Sequence, residues 1–331
     1  MRGKASSWAR ILVGMTLAIW VVHSLGGDAP PVRKIQGWVL AFAAFSLLGG
    51  SIETQRLKLL LAAQRIQLPF RVGFRLVAIG TFFNFCIPGG TGGDLMKLYY
   101  LASLNSGRGV EAATIVLLDR VLAMWTLLLF IVLVAAGSPG IIASDSTLAA
   151  LVLLAAAGLV GLFATGVLAL RHADRIARFL TGRAPRLFGI DFIARALQAL
   201  SHFRARTLLS PVGLTLVGHT LLASLFAWMA QTLLHAESFR TSATQAALGM
   251  LANALPITPG GIGVGEAAFE QLFAVGGVAG GALLILAWRI GMLPICLLGL
   301  AFYGRGIRRS SNRQPGDAGL PSPSPKGRDD G

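Results

Sequence analysis

The stretch Asn84–Lys97, NFCIPGGTGGDLMK, interrupts an apolar part of the chain with a proline and several glycines. A related stretch, NALPITPGGIGVGE, occupies Asn253–Glu266. Both begin with Asn, contain P-G-G-x-G and then reach an acidic residue, Asp94 or Glu266. Because proline lacks a backbone N–H and glycine weakens helices, neither stretch can be an uninterrupted helix. Broken apolar segments in corresponding positions of two halves point to a central site of the transporter type.

The composition identifies the class of protein. Of the 331 residues, 54% are hydrophobic and only 13% are charged, and the mean hydropathy is +0.69. A soluble domain carries about 25% charged residues, so the composition indicates an integral membrane protein. Cys86 and Cys296 have no partners at metal-ligand spacing and do not suggest a disulfide framework. We therefore expect no metal site and no cofactor.

The apolar runs predict an all-α, polytopic membrane helix bundle with two broken, re-entrant Gly-Pro hairpins in an inverted-repeat arrangement. The spans are expected at 11–27, 37–52, 111–137, 147–170, 211–234 and 276–303. Residues 71–87 lead into the first break and residues 243–255 into the second. We expect 1–305 to form the transmembrane domain, and 306–331, rich in Pro, Ser and Gly, to form a disordered cytoplasmic tail.

Two basic segments fall between the spans. Residues 56–66, RLKLLLAAQRI, are basic and apolar at helical spacing. This pattern favours a helix lying on the membrane surface over an extension of the second helix. Residues 171–206 are rich in arginine and are expected outside the bilayer.

The basic residues also predict the orientation, because Lys and Arg concentrate on the cytoplasmic side. If the first hairpin opens inward and the second outward, nearly all basic residues face the cytoplasm. The exceptions are Arg33, Lys34 and Arg240 outside, and Arg120 and Arg289 within spans. We therefore expect a bacterial inner-membrane protein with cytoplasmic N- and C-termini. The net charge of +15 is interpreted as topology signal and attraction to anionic lipid, not as nucleic-acid binding.

Asp94 and Lys97 are the first candidates for function. An ionisable group at the bilayer centre costs at least ~2.5–3.5 kcal/mol, so it marks a functional site by default. The two residues share a face if the chain after Gly93 is helical. One interpretation is a headgroup site, in which Lys97 binds a phosphate and Asp94 orients it or meets an amine. The other is a mutually neutralised structural pair.

Further charged residues lie in apolar segments. Asp119 and Arg120 are adjacent, so they point to different faces and are expected to pair with other segments. Glu266 and Arg289 either neutralise each other or contact substrate. The Gly-rich turns expose backbone N–H groups near helix starts, where phosphate binds readily. No catalytic residue is predicted. The predicted substrate-binding residues are Asn84, Gly89, Gly90, Gly92, Gly93, Asp94, Lys97, Asp119, Arg120, Asn253, Pro259, Gly260, Gly261, Gly263, Glu266 and Arg289.

The two motifs carry a family resemblance. N-x-x-x-P-G-G-x-G-G-D-x-x-K, followed by Tyr99 and Tyr100, together with P-I-T-P-G-G-I-G-V-G-E-A, resembles the lysylphosphatidylglycerol synthase transmembrane family, also called flippase-like, over about residues 8–305. The resemblance implies movement of a lipid with a modified or glycosylated headgroup between leaflets. The family motif usually has Arg where Lys97 stands. Since the sequence contains no aminoacyl-transfer domain, lysyl transfer is not implied.

Three functions fit these features. The first is a flippase or transporter whose partner is a membrane phospholipid or polyprenyl lipid. The second is a membrane transferase acting on polyprenyl-phosphate-linked sugars, for which Asp94 and Glu266 could bind a metal only if the hairpins meet. The third is an assembly partner of a separately encoded glycosyltransferase or aminoacyl transferase. Lipid translocation is preferred over bond chemistry.

Overall fold

The computed structural model describes residues 32–305, except 88–91, 106, 138–144, 184–194, 197–199, 201–202, 204 and 256–257. The predicted first span at 11–27, the predicted tail at 306–331 and the predicted site residues Gly89 and Gly90 lie outside the described residues.

The described part of the chain consists of helices joined by turns and contains no strand, which confirms the predicted all-α class. The helices are α1 (Val32–Ala63), α2 (Phe70–Cys86), α3 (Gly92–Leu104), α4 (Gly109–Ala136), α5 (Ser146–Arg183), α6 (Ala205–Leu233), α7 (Phe239–Asn253), α8 (Val264–Val275), α9 (Gly281–Gly291) and α10 (Leu293–Arg305). A short 3₁₀ turn, Pro259–Gly261, lies between α7 and α8.

Five helical segments of the described residues are long and apolar enough to cross a membrane. They are Ile35–Ala63, Gly109–Ala136, Ser146–Leu168, Arg206–Leu233 and Gly281–Arg305. Each coincides with a span predicted from the sequence. Helix α5 continues beyond Leu168 to Arg183, and the position of this arginine-rich part outside the bilayer stays a prediction.

The prediction of a separate surface helix at 56–66 is wrong. Residues 56–63 continue α1 without a break, and the chain turns only at Gln64 and Arg65. Leu57, Leu60 and Leu61 are almost completely buried in this last part of α1. The segment therefore packs its apolar face against neighbouring helices. A helix lying on a membrane surface would show the same amphipathic periodicity.

The last predicted span is divided in two. Helix α9 ends at Gly291 and α10 begins at Leu293. Pro294 explains the break, because it has no N–H to donate to the carbonyl of the residue four positions earlier and its ring crowds that turn.

Two helical hairpins flank the predicted breaks. The first consists of α2 and α3, with 17 and 13 residues, and the second of α7 and α8, with 15 and 12 residues. At 1.5 Å per residue, each helix is shorter than the ~30 Å hydrocarbon core of a bilayer. Individually, these helices therefore do not have the length of a span.

The hairpins open at opposite ends of α1. One buried cluster joins the end of α1 to the start of α2, the end of α3 and the start of α4, through residues that include Leu60, Leu76, Leu101 and Ala112. Another joins Phe42, near the start of α1, to the end of α6, the end of α8 and the start of α9, including Leu233, Phe273 and Leu283. The two clusters bury the open ends of the two hairpins.

The closed ends of the hairpins touch. A Cβ placed on Gly260, in the second break, would lie 3.6 Å from the Phe85 ring and 3.8 Å from the Asn84 carbonyl oxygen. Asn84 and Phe85 belong to the last turn of α2, directly before the first break. The sequence motifs at the two breaks are therefore neighbours in the fold.

Candidate functional site

The first break is closed by a contact between Asn84 and Gly93. The Asn84 side-chain oxygen accepts a hydrogen bond of 2.8 Å from the Gly93 backbone N–H in the first turn of α3. A Cβ on Gly93 would lie 2.8 Å from the Asn84 amide and would collide with the Gly80 carbonyl of α2. Only glycine allows α2 and α3 to approach this closely.

Lys97 lies inside the first hairpin. Its side chain is 6% exposed, and its Nζ donates a hydrogen bond to the Glu53 carboxylate of α1. The Asp94 carboxylate, three residues earlier on α3, lies 3.9 Å from the same nitrogen. Lys97 is therefore shared between a carboxylate of its own helix and one of α1, and its ammonium points inward.

Arg56 and Asp119 form the most buried ion pair of this region, with side-chain exposures of 10% and 5%. Arg56 donates through Nε and Nη2 to the two Asp119 oxygens at 2.6 and 2.9 Å. The Thr215 hydroxyl accepts a further bond of 3.3 Å from Arg56 Nη1. The planar guanidinium therefore links α1, α4 and α6 in one geometry.

Arg120 is the exposed cation of the same network. Its side chain is 40% exposed, and its Nη1 lies 3.5 Å from the Asp94 carboxylate, which is 24% exposed. Adjacent positions on α4 thus send Asp119 to α1 and Arg120 to α3, as the sequence predicted for neighbours on different faces. Ion pairs link Glu53, Lys97, Asp94 and Arg120 in one chain, and the Arg56–Asp119 pair lies beside it. Together these six side chains, three acidic and three basic, form a network whose charges balance.

The second break is built around Arg289 of α9. Arg289 donates to the Glu266 carboxylate (2.6 Å), to the Asn253 side-chain oxygen (2.9 Å) and to the carbonyls of Gly260 (2.6 Å) and Gly261 (2.8 Å). Its side chain is 8% exposed. Because its N–H groups donate to acceptors on α7, on the turn and on α8, Arg289 connects these three elements to α9.

Glycine conformations explain the P-G-G-x-G pattern at this break. Gly260, Gly261 and Gly263 have φ angles of +58°, +72° and +86°, which L-residues with a Cβ rarely adopt. A Cβ on Gly261 would also lie 2.5 Å from the Asn253 carbonyl oxygen. The Gly263 N–H then donates to Glu266 at 2.7 Å, so the carboxylate satisfies a free donor at the start of α8.

The two breaks share a local design. In each, an Asn near the end of the first helix faces a glycine that directly precedes the acidic residue: Asn84 with Gly93, and Asn253 with Gly265. A Cβ on Gly265 would lie 2.5 Å from the Asn253 side-chain oxygen. The halves differ in their cations, since Arg289 is fully engaged by the second break whereas Arg120 reaches Asp94 only at the edge of its network.

The predicted site residues therefore form two networks whose backbones touch at Gly260. Of the remaining predicted residues, Gly92 begins α3 and Pro259 begins the 3₁₀ turn. Among the described side chains, no hydrogen bond or ion pair connects one network to the other. A cavity lined jointly by Asp94, Lys97 and Glu266 stays a prediction. Within the described residues, no group of three or more His, Cys, Asp and Glu could hold a metal ion.

Sequence reasoning missed Glu53, Arg56 and Thr215. The first two stand three positions apart on α1, a spacing that puts them on one helix face. That spacing could have identified them, but the interpretation of 56–66 as a surface helix separated Arg56 from Glu53.

Comparison with known proteins identifies the family of the chain. A family model described as the lysylphosphatidylglycerol synthase TM region matches residues 7–299. No curated protein and no solved structure matches the chain. The match spans both hairpins and all five membrane-span segments, except for the last residues of α10. The protein is thus an integral, multi-pass membrane protein that belongs to the lysylphosphatidylglycerol synthase TM-region family.

Proposed function

We propose that the protein moves a lipid with a polar, phosphate-bearing headgroup between the leaflets of a bacterial inner membrane. The observation that carries the proposal is the contact between the closed ends of two hairpins that open at opposite ends of α1. When α1 crosses the bilayer, such hairpins enter it from opposite faces and meet inside it. Interrupted backbone is tolerated at that depth where protein covers it or where it lines a polar cavity.

The charge network beside the first break supports a polar path for the headgroup. Charged side chains inside a membrane protein are costly and mark substrate pathways. Of the three cations of this network, Lys97 and Arg56 are buried and hydrogen-bonded to carboxylates, whereas Arg120 is 40% exposed. Its contact with Asp94 is a 3.5 Å ion pair, so guanidinium N–H groups remain available to a phosphate.

The proposed roles follow from these positions. Arg120 binds the phosphate, and Asp94 faces the remainder of the headgroup. Lys97 compensates Asp94 when the phosphate draws Arg120 away, since its Nζ lies 3.9 Å from that carboxylate. Arg56 and Asp119 fix the rotation of α4 and hence the direction of Arg120. Arg289 and Glu266 shape the second hairpin.

A translocation assay in liposomes tests the function. The full-length protein is reconstituted with headgroup-labelled phosphatidylglycerol, an aminoacylated phosphatidylglycerol or a polyprenyl-phosphate sugar. An impermeant reagent then measures how fast the inner-leaflet lipid becomes accessible. We expect faster exposure of at least one lipid than in protein-free liposomes. If none of the three lipids becomes accessible faster than in protein-free liposomes, the result contradicts translocation.

Variants test the residues separately from the function. Arg120→Gln and Asp94→Asn are expected to slow translocation by about tenfold or more, because a charge-assisted hydrogen bond contributes ~1.5–3 kcal/mol. Arg171→Gln, which changes an exposed arginine of α5, is the control and is expected to leave the rate unchanged. Unchanged rates in the first two variants would remove Arg120 and Asp94 from the headgroup path.

A further inference from the structure

We propose that the start of α2 binds the headgroup of a resident anionic phospholipid, at a surface separate from the translocation path. This basic-aromatic surface consists of Lys58 on α1, Phe70, Arg71 and Arg75 on α2, and Phe302 on α10. Arg71 and Arg75 are exposed and lie one helical turn apart, so both guanidinium groups can reach one face of α2.

The surface has positive charge that no carboxylate of the described residues pairs with. Between Glu53 and Asp94 the sequence contains no acidic residue, and between Glu270 and Asp317, which includes α10, it again contains none. Among the described residues, no ion pair involves Lys58, Arg71 or Arg75, whereas Arg56 on the same stretch is paired with Asp119. The charges of the three cations therefore remain available to a ligand from outside the protein.

Aromatic rings hold two of these cations in place. The Lys58 ammonium lies 5.7 Å from the centre of the Phe70 ring, and the Arg75 guanidinium lies 5.5 Å from the centre of the Phe302 ring. Phe70 also stacks on Phe74, with ring centres 6.2 Å apart. A cation over a ring is positioned without losing its net charge. Such cations remain able to bind a phosphate.

The position of the surface indicates what binds there. Helix α1 is a membrane-span segment that ends at Ala63, and α2 begins at Phe70, so the connection lies at the level of the lipid headgroups. Phe70 is 37% exposed beside the two arginines, which offers apolar contact to an acyl chain below the phosphate. Unpaired cations above exposed apolar surface match a phospholipid with net negative charge.

Native mass spectrometry of the purified full-length protein tests this site. The probes are phosphatidylglycerol and phosphatidylcholine with identical acyl chains, so only the headgroup charge differs. Since basic residues near a membrane surface attract anionic headgroups, we expect the wild type to retain phosphatidylglycerol at least roughly tenfold better. The double variant Arg71→Gln, Arg75→Gln is expected to lose most of this preference.

The matched control is Arg171→Gln, Arg175→Gln, a pair of exposed arginines at the same spacing on α5. It is expected to keep the preference. Equal preference in the wild type and the Arg71, Arg75 variant, or equal loss in the control, would overturn the site. Displacement of the bound lipid by equimolar glycerol 3-phosphate would also overturn it, because recognition would then belong to a soluble phosphate compound.

Two further measurements separate this proposal from folding and from translocation. Thermal unfolding of the double variant in phosphatidylcholine should match the wild type, and the single variant Arg71→Gln, which leaves the Arg75–Phe302 contact intact, should lose part of the preference. A full preference in Arg71→Gln would exclude Arg71 from the site. Lipid retention does not require transport, so the retention result can be interpreted even if the translocation assay fails.

Discussion

Arg56 and Asp119 form a two-pronged ion pair across 63 residues of sequence, with distances of 2.6 and 2.9 Å. The pair joins α1 to α4, and both side chains are almost excluded from solvent. A buried charge that loses its partner keeps its desolvation cost without compensation. The pair therefore determines how the two helices are rotated against each other. It thereby also determines the directions of Glu53 on α1 and Arg120 on α4.

Removal of one partner of this pair should destabilise the protein strongly. We expect Asp119→Ala to cost about 3–5 kcal/mol, measured as a lower thermal unfolding midpoint in detergent. Arg56→Met with Asp119→Leu should recover most of that loss, because no unpaired charge remains. Glu111→Ala is the control, since its 3.7 Å contact with Arg108 is partly exposed and such pairs contribute about 0–1 kcal/mol. Wild-type stability of Asp119→Ala would contradict a structural role.

Lys97 offers a test between the two interpretations made from the sequence. Its ammonium is hydrogen-bonded to Glu53 and 6% exposed, so Lys97→Ala should lower stability by about 1.5–3 kcal/mol. Lys97→Met with Glu53→Gln should restore part of it. Lys58→Ala, at a lysine that makes no ion pair within the described residues, should have little effect. If Lys97→Ala instead unfolds like the wild type but loses lipid binding, Lys97 itself contacts the phosphate.

The second break should not tolerate a Cβ at Gly261. Its φ of +72° costs a non-glycine residue roughly 1–2 kcal/mol, and the added atom would contact Asn253. We therefore expect Gly261→Ala to lower the unfolding midpoint and the translocation rate. Gly166→Ala on α5 is the control, because a Cβ there meets nothing within 4 Å. Equal midpoints for the two variants would show that the observed turn is not required.

The predicted orientation can be measured by cysteine labelling in intact cells. With Cys86 and Cys296 replaced, Glu237→Cys should react with an impermeant thiol reagent from outside, and Arg175→Cys should react only after permeabilisation. The reason is the concentration of Lys and Arg on the cytoplasmic side. The reverse pattern would invert the topology and exchange the faces from which the two hairpins open.

Local sequence was sufficient to predict the five described spans and the two Gly-Pro breaks. Hydropathy over about twenty residues identifies a membrane helix, and the five span segments lie where it predicted. Proline and glycine act on their own residues, so Pro259 and Gly260 mark the turn that separates α7 from α8. Pro294 likewise separates α9 from α10. The sequence would have allowed that break to be predicted, but we expected one uninterrupted span.

Charge partners required the tertiary structure. Sequence pattern alone suggested the neighbour pair Asp94–Lys97, but Lys97 is bound more closely by Glu53, 44 residues earlier. Amphipathic periodicity likewise shows that residues 56–63 bury one face, but not whether a membrane or another helix covers it.

The sequence by itself determined the class of protein, the five described span segments and the two Gly-Pro breaks, because each depends on the solvation and backbone freedom of nearby residues. Tertiary structure alone decided that the breaks touch at Gly260 and Phe85, that Arg289 is enclosed and that Arg120 is exposed. These features depend on how helices far apart in sequence pack, since a buried charge is satisfied by whichever group the packing brings within hydrogen-bond distance.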